Sequence, residues 1–165
     1  MVIETKMVFA QYLKLMFLLS YRKPMVIYIT IIGTLLLIGS LLYAVGFKIY
    51  ESPPYFQFIF GLFTVVVIPF SIYRNAKNTF ASHGRLHENI TYEFTDNLIK
   101  ITGESFTVEE SWEKTYRILE LNSWMLIYQN KHVANVIPKE AFGDQLTMFR
   151  KLVKGKPFIK QKLRN

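Results

Sequence analysis

The sequence predicts a membrane protein of two parts, a transmembrane α-helical hairpin followed by a small α+β domain. Three observations carry that prediction. Residues 25–47 form a run of 23 without a single charge, and a second uncharged run, residues 52–73, begins only four residues later. At about 1.5 Å of helical rise per residue the first run spans roughly 34 Å, more than a hydrocarbon core of about 30 Å. Beyond Arg74 the pattern changes to short alternating apolar runs broken by polar turns, and then to one stretch with helical spacing.

Residues 1–24 read as a basic, amphipathic leader. Val8, Phe9, Tyr12, Leu13, Met16, Phe17 and Leu19 lie against Gln11, Lys14 and Arg22, the approximate pattern of a helix in the headgroup region. The first uncharged run is too long and lies too far in for a cleavable signal, and no A-x-A-like site accompanies it. Pro24 suits the first turn of a helix, where its missing N–H costs nothing.

The hairpin is expected over residues 25–73, with spans at 25–47 and 53–73. A connection as short as residues 48–54 makes the two helices antiparallel neighbours. Gly39, Ser40 and Ala44 are candidate helix-packing residues, because small side chains let helix backbones approach. Pro69 stands one turn from the end of the second span and either kinks it or marks where it leaves the bilayer. Lys6, Lys14, Arg22 and Lys23 precede the hairpin and Arg74, Lys77 and Arg85 follow it, whereas its loop holds only Lys48, offset by Glu51. The positive-inside rule puts both termini in the cytoplasm.

Residues 74–88 read as a juxtamembrane linker helix. In the domain, residues 89–156, Ile90, Tyr92 and Phe94 alternate with polar residues, and Asp96-Asn97 turns the chain into residues 98–101. Further β-rich runs are expected at 106–112, 116–121, 124–129 and 132–137. Over residues 138–154, Ala141, Phe142, Leu146, Phe149, Leu152 and Val153 share one helical face. An antiparallel meander closed by one amphipathic helix is an α+β unit. Residues 157–165 are a basic tail.

Two spans followed by Trp112-x-x-x-Tyr116-x-Ile118-x-Glu120, Trp124-Met125-Leu126-Ile127-Tyr128 and Ile137-Pro138-Lys139-x-Ala141-Phe142 resemble the YcxB-like proteins of bacteria. The resemblance implies a cytoplasmic domain similar to the pleckstrin-homology (PH) fold, a bent sheet capped by a C-terminal helix, in the bacterial plasma (inner) membrane. It implies no catalytic residues. The matching residues read as architecture: Trp112 and Trp124 as core anchors, Pro138 as the start of the helix, Lys139 as solvated.

The remaining chemistry is sparse. The chain has no cysteine, which excludes disulfides, thiolate metal sites and cysteine nucleophiles. His83 and His87 have the i,i+4 spacing of a helical metal pair, but Gly84 lies between them and no third ligand is predictable; His132 stands alone. Glu104, Glu109, Glu110, Glu113 and Glu120 read as a polar outer face. No G-x-S-x-G, Walker or G-x-G-x-x-G motif occurs, and neither span holds an ionisable group of the kind that lines an ion path. No enzyme, cofactor or metal is expected. The net charge of +8 would suggest nucleic acid in a soluble protein, but here the basic residues flank the spans, and no aromatic platform for bases is present. Arg150, Lys151, Lys154, Lys156, Lys160, Lys162 and Arg164 are candidate contacts to anionic lipid.

The expectation is a non-enzymatic binding or scaffolding protein. The bilayer anchors it, and its domain meets a protein partner or anionic lipid. The alternative is an accessory or immunity-type subunit that binds another membrane protein, or a second copy of itself, through its helices.

Overall fold

The structure is a computed structural model, which describes residues 1–131 and 133–164. The chain divides into two compact units, one of residues 8–84 and one of residues 1–7 together with 85–165.

The first unit is helical. Helix α1 (Phe9–Ser20) begins where the Val8 N–H donates to Gln11 Oε1 at 3.3 Å. Helix α2 (Pro24–Ala44) has Pro24 in its first turn, as its fixed φ and missing N–H favour. The return is a continuous helix from Tyr55 to Ser82 in three parts: α3 (Tyr55–Leu62), a widened π turn (Phe63–Val67) and α4 (Ile68–Ser82). Pro69 follows the widened turn at once. Its ring crowds the carbonyl four residues back, and a locally widened turn accommodates such a ring.

Two helices, Pro24–Ala44 and Tyr55–Ser82, are therefore long and apolar enough to cross a membrane. Their outward faces carry large exposed apolar side chains along most of their length, among them Tyr28, Leu35, Ile59 and Phe63. The second helix runs on to Ser82, so the linker helix predicted for residues 74–88 is its last turns. Helix α1 packs on that extension. Phe9 meets Tyr73 and Phe80 with ring centroids 6.1 and 5.5 Å apart, Tyr12 meets Phe80 at 5.5 Å, and Leu15 and Ala76 are buried.

The second unit is built from both ends of the chain. Strand β1 (Val2–Lys6) pairs antiparallel with β2 (Asn89–Phe94), from Val2 opposite Glu93 to Lys6 opposite Asn89. Strands β3 (Leu98–Thr102) and β4 (Thr107–Ser111) extend this sheet in the order β1-β2-β3-β4. A leader over residues 1–24 is thus corrected. Its first residues are an edge strand, whose Val-Ile-Glu-Thr-Lys alternation turns Ile3 into the core, and its remainder is α1.

A short 3-10 turn, Trp112–Lys114, leads into the second sheet, where the Ser111 hydroxyl accepts the Glu113 N–H. That sheet has β5 (Arg117–Glu120), β6 (Trp124–Tyr128), β7 (Ala134–Pro138) and β8 (Lys160–Lys162) in the order β7-β6-β5-β8. Strand β8 runs parallel to β5, so the predicted tail returns to the sheet. Between β7 and β8 lie a 3-10 segment (Lys139–Gln145) and helix α5 (Leu146–Lys154). Gly143 breaks the 3-10 segment at φ 47°, where a β-carbon would be strained, and interrupts the helix predicted from residue 138.

The core lies between the sheets and under α5. Trp112 is buried and its indole N–H donates to the Thr95 carbonyl at 2.9 Å. Phe149 of α5 meets Phe94 edge-on and Phe142 at a tilt, both at 4.9 Å. These contacts give α5 a direction within the domain. It closes the end at which β2 finishes and leaves open the end at which β2 begins.

Candidate functional site

At that open end lies a cleft of about 340 Å³ between the two sheets. Its floor is Ile90, Tyr92, Ile101 and Val108 from the first sheet, and β7 with Val133 forms the facing wall. Phe106, in the turn between β3 and β4, closes one side. Burial raises the Tyr92 phenol above its ordinary value, so it stays neutral. The polar groups are few. Gln129 is already engaged, donating through Nε2 to Glu110 Oε1 at 2.8 Å. The guanidinium of Arg85 lies over the Phe106 ring, 4.8 Å from its centroid, and its charge helps to hold the Glu88 carboxyl below its ordinary pKa. Two carboxylates near this end are committed elsewhere. Glu88 accepts both the Ser105 hydroxyl and its N–H, which lower its pKa, and Glu104 accepts the Asn89 N–H and side-chain amide.

The cleft also marks where the chain leaves and rejoins the domain. Met7 and Arg85, the last and first domain residues on either side of the helices, both line it.

Helix α5, β8 and the residues that follow each carry the basic side chains, which fall into two groups. Lys151, Lys154, Lys160 and Lys162 are exposed, and Met148 and Phe158 stand about 60% exposed among them. Arg150 and Lys156 are engaged. Lys156 donates to the Asp96 carbonyl at 2.6 Å and lies 5.3 Å from the centre of the Trp112 ring. Arg150 grips Glu120 with Nε at 3.1 Å and Nη2 at 2.5 Å. The Arg164 side chain is exposed, while its backbone N–H donates to the same carboxylate at 3.0 Å.

Glu120 corrects the reading of a polar outer face. It is 3% exposed and also accepts Lys139 Nζ at 2.6 Å, so Lys139 is likewise not the solvated residue the sequence suggested. Burial alone would raise the Glu120 pKa. The hydrogen bonds from Arg150, Lys139 and the Arg164 N–H, with the charge of Lys139, outweigh it and hold the carboxyl at about 2.

The helix-packing candidates divide as well. Ser40 is buried, with its hydroxyl donating to the Leu36 carbonyl at 2.8 Å, and a β-carbon at Gly39 would meet the Tyr50 hydroxyl at 2.6 Å. Ala44 is exposed. The close approach falls elsewhere. The side chain of Thr64 fills the space a Gly33 β-carbon would need, and a β-carbon at Gly61 would stand 2.6 Å from the Gly33 carbonyl. His83 caps the end of α4 and His87 lies beyond a separate 3-10 turn, so the two histidines with i,i+4 spacing do not share a helix. His132 lies outside the described residues.

Residues 94–153 match the family model described as YcxB-like protein. This segment is YcxB-like. It runs from the last residue of β2 almost to the end of α5, just over a third of the chain. The YcxB-like segment contains Trp112, Phe142 and Phe149 of the core, the β7 wall of the cleft, and the Glu120, Lys139 and Arg150 cluster. Arg85, β1 and β8 lie outside it. No curated protein and no solved structure matches the chain.

Proposed function

We propose that this protein is a non-enzymatic binding module held at the bacterial inner membrane by a two-helix hairpin inserted within its own domain. The observation that carries the reading is the pairing of β1 with β2. Residues 2–6 and 89–94 belong to one sheet, and between them lie two helices of membrane-spanning length. Two crossings return the chain to the side from which it started, as that pairing requires. The excess of Lys and Arg on both flanks of the hairpin makes that side the cytoplasm. An extramembranous domain closed through its first strand also accounts for the short connections at residues 7–8 and 84–85.

The domain is of PH type in this reading: two packed antiparallel-based sheets with a C-terminal helix over one end. Its exposed Lys151, Lys154, Lys160 and Lys162, with Met148 and Phe158 among them, form a face suited to an acidic partner. The alternative, recognition through the helices, has less support. The small residues Gly33 and Gly61 face each other within the hairpin and are not free to receive another helix.

The test is crosslinking in native membranes with the full chain and with a variant reversing Lys151, Lys154, Lys160 and Lys162 to Glu. The reading predicts that a partner crosslinked through residues 146–162 is lost in the variant. A partner crosslinked through α2 or α3 and indifferent to the reversal would replace it with the helix-based reading.

A further inference from the structure

We infer that the outward face of the second sheet binds a phosphate-class dianion, inorganic phosphate or the phosphate of a small monoester, between Arg117 of β5 and Lys160 of β8. The inference goes beyond the proposed function. It needs neither a bilayer nor a protein partner, although Lys160 belongs to the basic face as well.

The strand register puts the two cations together. Strand β8 runs parallel to β5 with Arg117 opposite Lys160 and Leu119 opposite Lys162, so these four side chains share one face. That face is the outer one. Ile118, next to Arg117, is buried in the core, and Gln161, next to Lys160, donates through Nε2 to the Val153 carbonyl of α5 at 3.4 Å. Like charges directly opposite each other on paired strands repel. None of Arg117, Lys160 and Lys162 pairs with a carboxylate among the described residues. Glu120, on the same strand as Arg117, faces the core and is taken by Arg150 and Lys139.

Arg117 is also held in place. Its guanidinium lies over the Tyr128 ring, 4.4 Å from the centroid. Stacking on a ring steadies the guanidinium and leaves its in-plane N–H fork to other groups. Its Nε is buried and has no hydrogen-bond acceptor among the described residues, whereas a buried N–H ordinarily has one. The ammonium of Lys160 lies 6.0 Å from the centre of the Tyr116 ring, so an aromatic supports each cation. The charge of the ligand follows from the pair. A dianion neutralises both cations, and an N–H fork matches the oxygens of phosphate. A carboxylate or a phosphodiester brings only one charge.

The test uses the full chain in an uncharged maltoside detergent at about pH 8, where a phosphate monoester is mainly dianionic. Tyrosine rings labelled with carbon-13 are followed by NMR as phosphate, glycerol 3-phosphate or acetate is added at constant ionic strength. Tyr116→Phe and Tyr128→Phe spectra assign the two signals. The inference predicts that phosphate moves both signals to saturation and acetate does not. Tighter binding of glycerol 3-phosphate would make a monoester the source, and weaker binding the free ion. Arg117→Gln should raise the half-saturating phosphate concentration about tenfold or more, the loss expected when a charge-assisted hydrogen bond is removed. Lys160→Gln, at an exposed position, should weaken binding in the same direction, so the outcome does not depend on the half-buried arginine alone. Lys151→Gln with Lys154→Gln should leave binding within about twofold, as for sites that share no partner. The inference is overturned if acetate and phosphate act alike, if phosphate does not saturate, or if the α5 pair matters as much as Arg117. Each of those results leaves the protein-binding reading of the basic face standing, and loss of that reading leaves this one standing.

Discussion

At Glu120, a carboxylate almost out of contact with water accepts Lys139, both nitrogens of an Arg150 fork and the Arg164 N–H. Removing one partner from such a cluster leaves a buried charge uncompensated. Arg150→Ala should therefore destabilise the domain by about 3–5 kcal/mol in denaturant titrations. An exposed lysine such as Lys151 changed to Ala should cost less than about 0.5 kcal/mol in the same titrations. The same carboxyl sets an acid limit. It titrates at about 2 in the folded domain against an ordinary value of 4.5. The unfolded chain binds the proton more readily, so stability is full above pH 4.5 and is lost as pH falls toward 2. The loss should reach roughly 3 kcal/mol, and Glu120→Gln should flatten that part of the pH profile. None of this was legible locally. The sequence shows Glu120 in an alternating strand whose own cation, Arg117, falls on the opposite face, and its partners arrive from 19, 30 and 44 residues away. Trp112 was legible, because a large aromatic in a small domain has few places other than the core.

Among the elements, the seam between α2 and the return helix depends on Gly33, Gly61 and Thr64 more than on the small residues nearer the loop. A Gly61→Leu side chain would collide with the Gly33 carbonyl and with Leu37. It should lower the melting temperature of the detergent-solubilised protein, an overpacking cost of about 1–3 kcal/mol. Ala44→Leu, on an exposed face, should leave it unchanged. The hairpin itself was plain in the sequence, since uncharged runs of this length have few other uses. The choice among its small residues was not plain, because helical facing in a uniformly apolar helix leaves no polar stripe to read. Strands β2, β3 and β6 were visible as alternation with turn residues between them. Strand β8 was not, since Lys-Gln-Lys has no strand-like composition and forms only because β5 offers an edge. Strand β1 shows alternation over five residues, but its partner lies beyond two helices, and no local pattern points there.

For the molecule as a whole, the closing of the sheet across the two helices would join the proposed anchoring to folding. The first strand is made early and waits for β2, so the sheet is completed only after both helices have been placed. Such long-range pairing is slow to form. In the proposed membrane reading, a chain with one crossing instead of two would leave β1 and β2 on opposite sides and the domain unclosed. The domain's edge strand is thus a topological constraint as well as a structural one, independent of the positive charges that flank the helices.

Because the chain has no cysteine, that constraint can be measured directly. Single cysteines at Glu4 in β1, Ser52 in the helix connection and Lys114 between the sheets would be probed with a membrane-impermeant maleimide in intact and permeabilised cells. The account predicts labelling of position 52 in intact cells and of positions 4 and 114 only after permeabilisation. Positions 4 and 114 reacting from opposite sides, or all three reacting from the same side, would contradict it.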